Sequence, residues 1–577
     1  MRRALSAAGL IVFSILTSAD AWGQQPRPAD SLQLDREELA TPSLDSSTEK
    51  PLSLELPPLV ERPEPAPFES AEGFVVRGFR IVGATVFDDA ELSAVLSPFL
   101  GRPLQSEDLP ALTDAITGLY IEAGYLSSGA RIPDQSAVDG IIEVHVVEGT
   151  LPRIRVEGGG RLAPFYVEDR VTRGLSAPFN LEALERNLRL LQIDPRIDRV
   201  DAVILPGVES GASVLQLNIL EANPWELDFR VANDLSPALG ESRASATLRN
   251  RNVLGFGDQF SGVVSGARGL LDFDLAYSIP FTPWLTEFEI RGGLSQSEVV
   301  EGAFANQFEN EIQSYGVALT QPLLLTLENE IRGRVEFERR TSLLSFDDGQ
   351  NFDLETAPGD DETIRLSMLR LTLDWIHRET DRVFAAQLLT TMGLDVWDAT
   401  TTNNTAGLGG PALPDAEFTS WLLQFQYAQR IDTRIGAAEL IARGDLQVAT
   451  GAVFSLESFA MGGASTVRGY RENSVVSDNG ALGSVEFRIP VFPDQWGPHE
   501  MRLAPFVDMG YAWDDSDRVA KHFERLFVSL GFGVLYRYSD RFELNAYWGR
   551  GLRYKRLGRD GDTQRHGFHL EARLAVF

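Results

Sequence analysis

The sequence has no cysteine among its 577 residues, which excludes disulfide frameworks and thiolate metal sites alike. An oxidising periplasm tolerates such a chain easily, although the absence names no compartment. Histidine is scarce too. His145, His377, His499, His522, His566 and His569 are scattered without metal-ligand spacing, so no metal is expected. His566 and His569 fall on a predicted strand in opposite phase and so face opposite sides. Positive charge is in deficit. The 52 Lys and Arg stand against 83 Asp and Glu, for a net charge of −31, which excludes nucleic acid as a partner. Phosphate-loop and nucleophile-elbow motifs are missing, so no nucleotide, no other cofactor and no enzymatic activity are expected. The acidic tips Asp347-Asp348-Gly349 and Asp560-Gly561-Asp562 lack the ligand series of a calcium loop. Beyond the N-terminus no run reaches the roughly 18 apolar residues of a membrane helix. A membrane form of this chain must therefore be a closed barrel.

What is present divides the chain. Arg2-Arg3, the apolar run Ala4 to Leu16 and the small residues Ala19, Ala21 and Gly23 read as a signal peptide, residues 1–23, cleaved between Ala21 and Gly23. Residues 24–72 are rich in proline and acidic side chains and read as a solvated linker, with one short helix predicted over Ser31 to Leu39. Residues 73–149 form a small α+β unit. Phe79 to Val82 is a strand, Asp88 caps a helix carrying Leu92, Val95 and Leu96, Leu112, Ile116, Leu119 and Tyr120 mark a second helix, and Gly129 to Pro133 and Ile141 to Val147 are strands. Residues 150–222 repeat that β-α-α-β-β order, with helices over Tyr166 to Gly174 and Leu181 to Gln192. Tandem copies of one small fold suggest an interaction module whose strand edges add a partner's strand.

From residue 223 to 577 the texture is of period-two alternation in stretches of about ten residues, the pattern of a membrane barrel. Leu227, Phe229 and Val231 alternate with Glu226, Asp228 and Arg230, and Val507, Met509 and Tyr511 with Phe506, Asp508 and Gly510. Sixteen such stretches occur, the sixth, around Tyr315 to Gln321, being weak. Long connections at 298–311, 343–361, 398–416 and 450–479 alternate with short ones at 322–327, 377–381 and 432–435. An up-and-down barrel with a loop side and a turn side requires that asymmetry, whereas a large soluble sandwich does not. The expected fold class is therefore an α+β tandem followed by an all-β, sixteen-stranded antiparallel transmembrane barrel set in membrane lipid.

One loop carries the candidate chemistry. Val467-Arg468-Gly469-Tyr470 lies in the turn-rich stretch 450–479, directly before two strands whose inward faces carry Glu486 and Asp508. A guanidinium offers a planar fork of donors that suits a carboxylate. Spacing alone leaves two readings open: the loop folds inward and docks Arg468 on these acids, or each group faces water.

Val467-Arg468-Gly469-Tyr470 followed by Phe506-x-Asp508-x-Gly510 resembles the paired signature of the BamA-like outer-membrane superfamily. There an inward-folded sixth loop carries the arginine and a following strand the aspartate. The two α+β repeats resemble polypeptide-transport-associated (POTRA) domains. Leu190-Leu191-Gln192-Ile193-Asp194-Pro195 and Arg251-Asn252-Val253-Leu254-Gly255-Phe256-Gly257-Asp258 are similar to segments of two-partner secretion transporters, the haemolysin- and filamentous-adhesin-secreting branch. The resemblance implies a pore in the outer membrane of a Gram-negative bacterium, with POTRA domains in the periplasm. It would capture an unfolded β-helical exoprotein of haemolysin or adhesin type and export it without nucleotide hydrolysis. It implies Asp508 as the partner of Arg468, with Glu486 second, and an N-terminal plug helix for which residues 31–39 are the candidate. Periplasmic chaperones and the outer-membrane assembly machinery are the other implied partners. Phe577 matches the terminal aromatic that this machinery reads, although Phe568, Leu570, Leu574 and Val576 alternate in the other phase. The alternatives are an assembly factor that inserts other barrels and, in a different class, a passive porin.

Overall fold

Two small sheets, each covered by a pair of amphipathic helices, precede a barrel that closes on itself. The computed structural model describes residues 53–55 and 75–577 except 105–107, 134, 136–138, 159, 209–210, 302–304, 306–307, 347–362, 402–413, 435, 493–497, 515–524 and 554–562. The expected signal peptide, the helix at 31–39 and the acidic tips at 347–349 and 560–562 lie outside the described residues. The chain divides into two units, one holding residues 49–222 with 254–257, the other 223–253 with 258–577.

In the first unit, β1 is Ser53–Glu55, β2 Gly78–Val82, α1 Asp89–Leu96, α2 Asp108–Glu122, β3 Gly129–Arg131 and β4 Ile141–Val147. Then come β5 Thr150–Gly158, α3 Pro164–Thr172, α4 Leu181–Gln192, β6 Ile197–Pro206 and β7 Ala212–Glu221. Asp88 caps α1 in a reciprocal box, its Oδ1 accepting from the Glu91 N–H (2.8 Å) while Glu91 Oε2 accepts from the Asp88 N–H (3.0 Å), which satisfies two amides that the helix leaves unpaired. Leu92, Leu96, Leu112, Ile116 and Tyr120 pack on Ile142, Val144 and Val146 of the sheet β2-β4-β3. Leu184, Leu188 and Leu191 pack on Val200, Ala202, Leu215 and Leu217 in the second copy. Helical spacing on one side and strand alternation on the other thus meet in one core each. Asn180 joins the copies. Its Oδ1 caps α4 at the Ala183 N–H (3.2 Å) while its Nδ2 donates to the Ala123 carbonyl (3.0 Å).

One expectation is corrected here. Ser53–Glu55, inside the stretch read as a solvated linker, is a strand that pairs in parallel with Asp201, Ala202 and Val203 of β6. The second sheet therefore runs β1-β6-β7-β5. Leu54, half-buried between exposed Ser53 and Glu55, packs against the second core.

The barrel strands are β8 Trp225–Ala232, β9 Arg243–Asn250, β10 Gln259–Ala267, β11 Leu270–Pro280, β12 Glu287–Glu298, β13 Phe308–Leu325, β14 Asn329–Phe346, β15 Thr363–Arg378 and β16 Arg382–Leu394. They continue as β17 Thr419–Thr433 and β18 Gly436–Ala449. Two short strands, β19 Phe459–Met461 and β20 Val475–Ser477, pair with each other inside the long loop and take no part in the wall. The wall resumes with β21 Asn479–Pro490, β22 His499–Trp513, β23 Arg525–Tyr538, β24 Phe542–Gly551 and β25 Phe568–Ala575. All sixteen wall strands pair antiparallel with both neighbours, and β25 closes the ring on β8. Closure leaves no unpaired edge to face lipid. The weak sixth stretch is β13, in full register with β14 apart from one bulge at Pro322.

Alternation sorts the faces. Val507 and Met509 are 55% and 56% exposed on the outer wall, whereas Asp508 between them is fully buried. The long–short alternation of connections holds from β12 onward. It fails earlier, where β10 and β11 are joined by residues 268 and 269 alone and β9 and β10 by 251–258. His566 is also corrected: it lies in a 3-10 turn, Gln564–His566, and not on the last strand.

In the first copy Glu148 accepts from the Thr85 N–H (2.6 Å) and hydroxyl (2.5 Å), the Val86 N–H (3.1 Å) and the Tyr120 hydroxyl (2.8 Å). Burial opposes its ionisation, but these donors outweigh that and hold the carboxyl below its usual range. A depressed carboxyl stabilises the fold above its unfolded pKa of about 4.3 and loses that contribution as pH falls through the folded value. Glu148→Gln should therefore speed hydrogen exchange at Thr85 and Val86 by about tenfold at pH 7, as loss of a charge-assisted bond implies. The difference from the unsubstituted chain should shrink below pH 4.

Candidate functional site

The loop between β18 and β21, the eleventh and twelfth wall strands, folds into the barrel. Its first limb holds Val453, Phe454 and Leu456, which pack on Leu366 and Met368 of β15 and on Phe418. Its second limb holds Met461, Val467, Tyr470 and Val475, packed with Phe459, Ala512 and Phe527. Apolar side chains in an otherwise polar lumen thus form two small cores, and the loop is the only element common to them among the described residues.

Arg468 lies between Val467 and Tyr470 of the second core in sequence and is 2% exposed. Its Nε and Nη2 donate to Asp508 Oδ2 and Oδ1, each at 2.9 Å, and its own backbone N–H donates to Oδ2 at 2.9 Å. Nη1 donates to Glu486, and Nη2 also reaches Ser484 Oγ at 3.1 Å. Ser484 in turn donates to Asp508 Oδ1 at 2.7 Å. The guanidinium carbon lies 3.6 Å from the Phe506 ring centroid and 4.7 Å from that of Tyr547. Glu486 and Asp508 are 3% and 0% exposed. Paired charges with every guanidinium nitrogen hydrogen-bonded are what make such burial tolerable, since an unpaired ion there costs several kcal/mol.

The structure brings the sequence-derived residues together. Phe506, Asp508 and Gly510 lie on one inward face of β22 because side chains alternate along a strand. Ser484 pairs with Asp508 and Glu486 with Phe506 across β21 and β22, so both acids sit at one level of the wall. Gly510 gives the loop its approach: a Cβ there would lie 2.1 Å from Met461 Sδ and 3.0 Å from Val467 Cγ2. Gly469 has φ of +87° and its amide region abuts Gly549, so a side chain at either position would meet backbone. Val467 is fully buried, and the Tyr470 hydroxyl donates to the Val528 carbonyl at 2.9 Å, with its ring edge-on to Phe527 at 4.5 Å.

Several contributors were missed by sequence reasoning. His569 Nε2 accepts from the Gly469 N–H at 3.0 Å, which requires that nitrogen to be unprotonated. Tyr547 donates to Glu486 Oε1 at 3.1 Å and Arg488 Nε donates to the same oxygen at 2.7 Å. Ser484 and Arg488 share the inward phase of Glu486 and were accessible to a period-two reading. Tyr547 and His569 come from β24 and β25, and nothing local ties them to the loop. Arg468, Ser484, Arg488, Tyr547 and His569 line a lumen cavity of about 610 Å³. Among the described residues no cluster of His, Asp and Glu could hold a metal ion.

Residues 211–535 match the family described as haemolysin secretion/activation protein ShlB/FhaC/HecB, and residues 74–149 match the POTRA domain, ShlB-type. The outer membrane transporter CdiB of Escherichia coli is 24% identical over 480 residues, which cover 80% of this chain and 76% of that protein. The hemolysin transporter protein ShlB of Serratia marcescens is 31% identical over 195 residues, covering 33% of each chain. In fold, CdiB from Escherichia coli superposes with a TM-score of 0.67 at 20% identity, covering 96% of this chain and 99% of that one. BamA from Haemophilus ducreyi lacking POTRA domains 1–3 superposes with a TM-score of 0.53 at 15% identity, covering 87% of this chain and 100% of that one.

Removing one partner of a buried, fully bonded ion pair costs about 3–5 kcal/mol. Arg468→Ala and Asp508→Asn should each accelerate hydrogen exchange at the Gly469 and Tyr470 amides by roughly a hundredfold or more, with the wall-strand amides unchanged. Equal protection in variant and parent chains would refute the docking energetics.

Proposed function

The chain belongs to the haemolysin secretion/activation protein family, a branch of outer-membrane two-partner secretion transporters, and we propose that it exports an unfolded β-helical exoprotein of haemolysin or adhesin type. Its barrel lies in the outer membrane and its POTRA domains in the periplasm. In this reading residues 73–149 and 150–222 capture the partner, and 223–577 form the passage. The observation that carries it is the loop at 450–479, held inside the lumen by Arg468 on Asp508 and Glu486. A loop held by many polar bonds, each exchangeable with water, can leave and return without breaking a wall strand.

Capture by strand addition is supported by the sheet edges. β6 already accepts three extended residues in parallel, so its backbone geometry suits an added strand. Among the described residues β2 pairs on one side only, with β4, and it carries exposed Arg80 and Val82 at its outer end. Main-chain hydrogen bonds to such an edge need no fixed partner sequence, which suits a client that is still unfolded. The chain carries no phosphate-loop motif, so the reading draws the work of export from the partner's folding outside the cell.

Deleting the chain should remove one large protein from the medium, and Arg468→Ala should reduce its secretion at least tenfold, about the effect of 1.4 kcal/mol or more on a loop equilibrium, while the barrel still inserts. Undiminished secretion at matched outer-membrane levels would overturn the role given to the loop. A photo-crosslinking residue at Val82 should trap the partner's N-terminal segment in the periplasm. Trapping only from barrel positions would overturn strand capture at β2.

A further inference from the structure

The Arg468 contacts hold one limb of the loop. The other limb carries its own buried charge. Glu457 ends a 3-10 turn, Ser455–Glu457, and is 8% exposed. Its Oε1 accepts from Arg340 Nη1 at 3.2 Å and from Arg370 Nη2 at 2.8 Å. Those arginines project inward from β14 and β15 and are 6% and 5% exposed. On the wall, Glu338 pairs with both, at 2.7 Å to Arg340 and 2.9 Å to Arg370. Two buried guanidinium groups therefore share one wall carboxylate and one carboxylate brought by the loop. Gln447 donates to the Glu457 carbonyl at 2.9 Å, and Val453, Phe454 and Leu456 pack beside it, so backbone, charge and apolar side chains hold the same turn.

The placement differs from that of the Arg468 site in position and in the sign of the charge the loop brings. Three wall strands, β16, β17 and β18, separate β15 from β21. The loop gives a cation to carboxylates on one side and a carboxylate to arginines on the other. Its second limb also reaches β23 through Tyr470 and β25 through the Gly469 amide. One loop thus touches both sides of the lumen and holds each through buried ion pairs.

We propose that Glu457, Arg340 and Arg370 form a second anchor that positions the transport loop from the β14–β15 wall. The loop is then a strap fixed at two ends and not a flap hinged at one. Breaking the Arg468 end frees the second limb alone, and clearing the lumen requires both ends to be released. This deepens the reading of the loop as a transport element. It is tested on the loop itself, so a failure here is distinct from a failure of the secretion assay.

The cysteine-free chain permits a direct test. Leu456→Cys and Val467→Cys, both at buried positions, are introduced singly into the full-length protein in outer membranes and labelled with a membrane-impermeant maleimide. Glu457→Ala should raise the labelling rate at position 456 by about tenfold or more and leave position 467 within about twofold, as expected for uncoupled sites. Arg468→Ala should do the reverse. Glu457→Gln keeps the side-chain volume and one acceptor and should give an intermediate rise at 456. It serves as the second variant should Glu457→Ala not insert. Parallel acceleration at both positions in either variant would show a single lock and overturn the proposal. So would unchanged labelling at 456 in the Glu457 variants.

Discussion

A guanidinium taken from water into a protein interior must meet carboxylates or carry a penalty of several kcal/mol. Arg468 meets that constraint with all of its surroundings. Asp508 takes its fork, Glu486 takes the remaining amine, and Ser484 and Tyr547 satisfy the acids in turn. The arrangement only works if the loop reaches the wall, and the wall is shaped for it. Gly510 leaves room for Met461 and Val467, and Gly549 leaves room for the chain at Gly469. The ion pairs, the bare glycine positions and the small apolar core around Tyr470 depend on one another. Any of them alone would be a defect in a barrel wall.

The same constraint governs the choice of cation. Of the 52 basic residues only Lys50, Lys521 and Lys555 are lysine, and the described barrel strands contain no lysine. Every charged donor facing the lumen from the wall is arginine. Its planar fork spans two acceptors and stays charged under all physiological conditions, whereas a lysine presents a single hydrated point. Arg340 and Arg370 can thereby share Glu338 with Glu457, and Arg468 can share itself between Asp508 and Glu486. A lumen lined this way is rigid where its ions are paired and polar where a passing chain touches it.

Outside the barrel, burial follows the simpler logic of helices on sheets, and the interest lies at the edges. Ser53–Glu55 covers the β6 edge that a barrel would have closed. A short strand with one half-buried leucine is held weakly compared with the nine paired positions of β6 and β7, because each added residue contributes little beyond its ordering cost. Sheet edges that accept short segments are open to exchange, which the proposed capture of a partner's strand requires.

The sequence alone determined most of the architecture. Alternation over stretches long enough to cross a bilayer revealed sixteen strands, because a wall between lipid and water must repeat every second residue. Helical spacing of leucines revealed the paired α+β units for the same kind of reason. The inward phase of Phe506, Asp508 and Gly510 was legible, and so was the loop bearing Arg468. What periodicity did not carry was which strands face each other across the lumen. His569, Tyr547 and the Glu457–Arg340–Arg370 cluster are joined over 61 to 117 positions in sequence. Such contacts arise only when the ring closes and the loop turns inward. Three residues of the proline-rich stretch also became a strand because a sheet edge was there to receive them. Local pattern decides which way a side chain points. Only the closed tertiary structure decides what it meets.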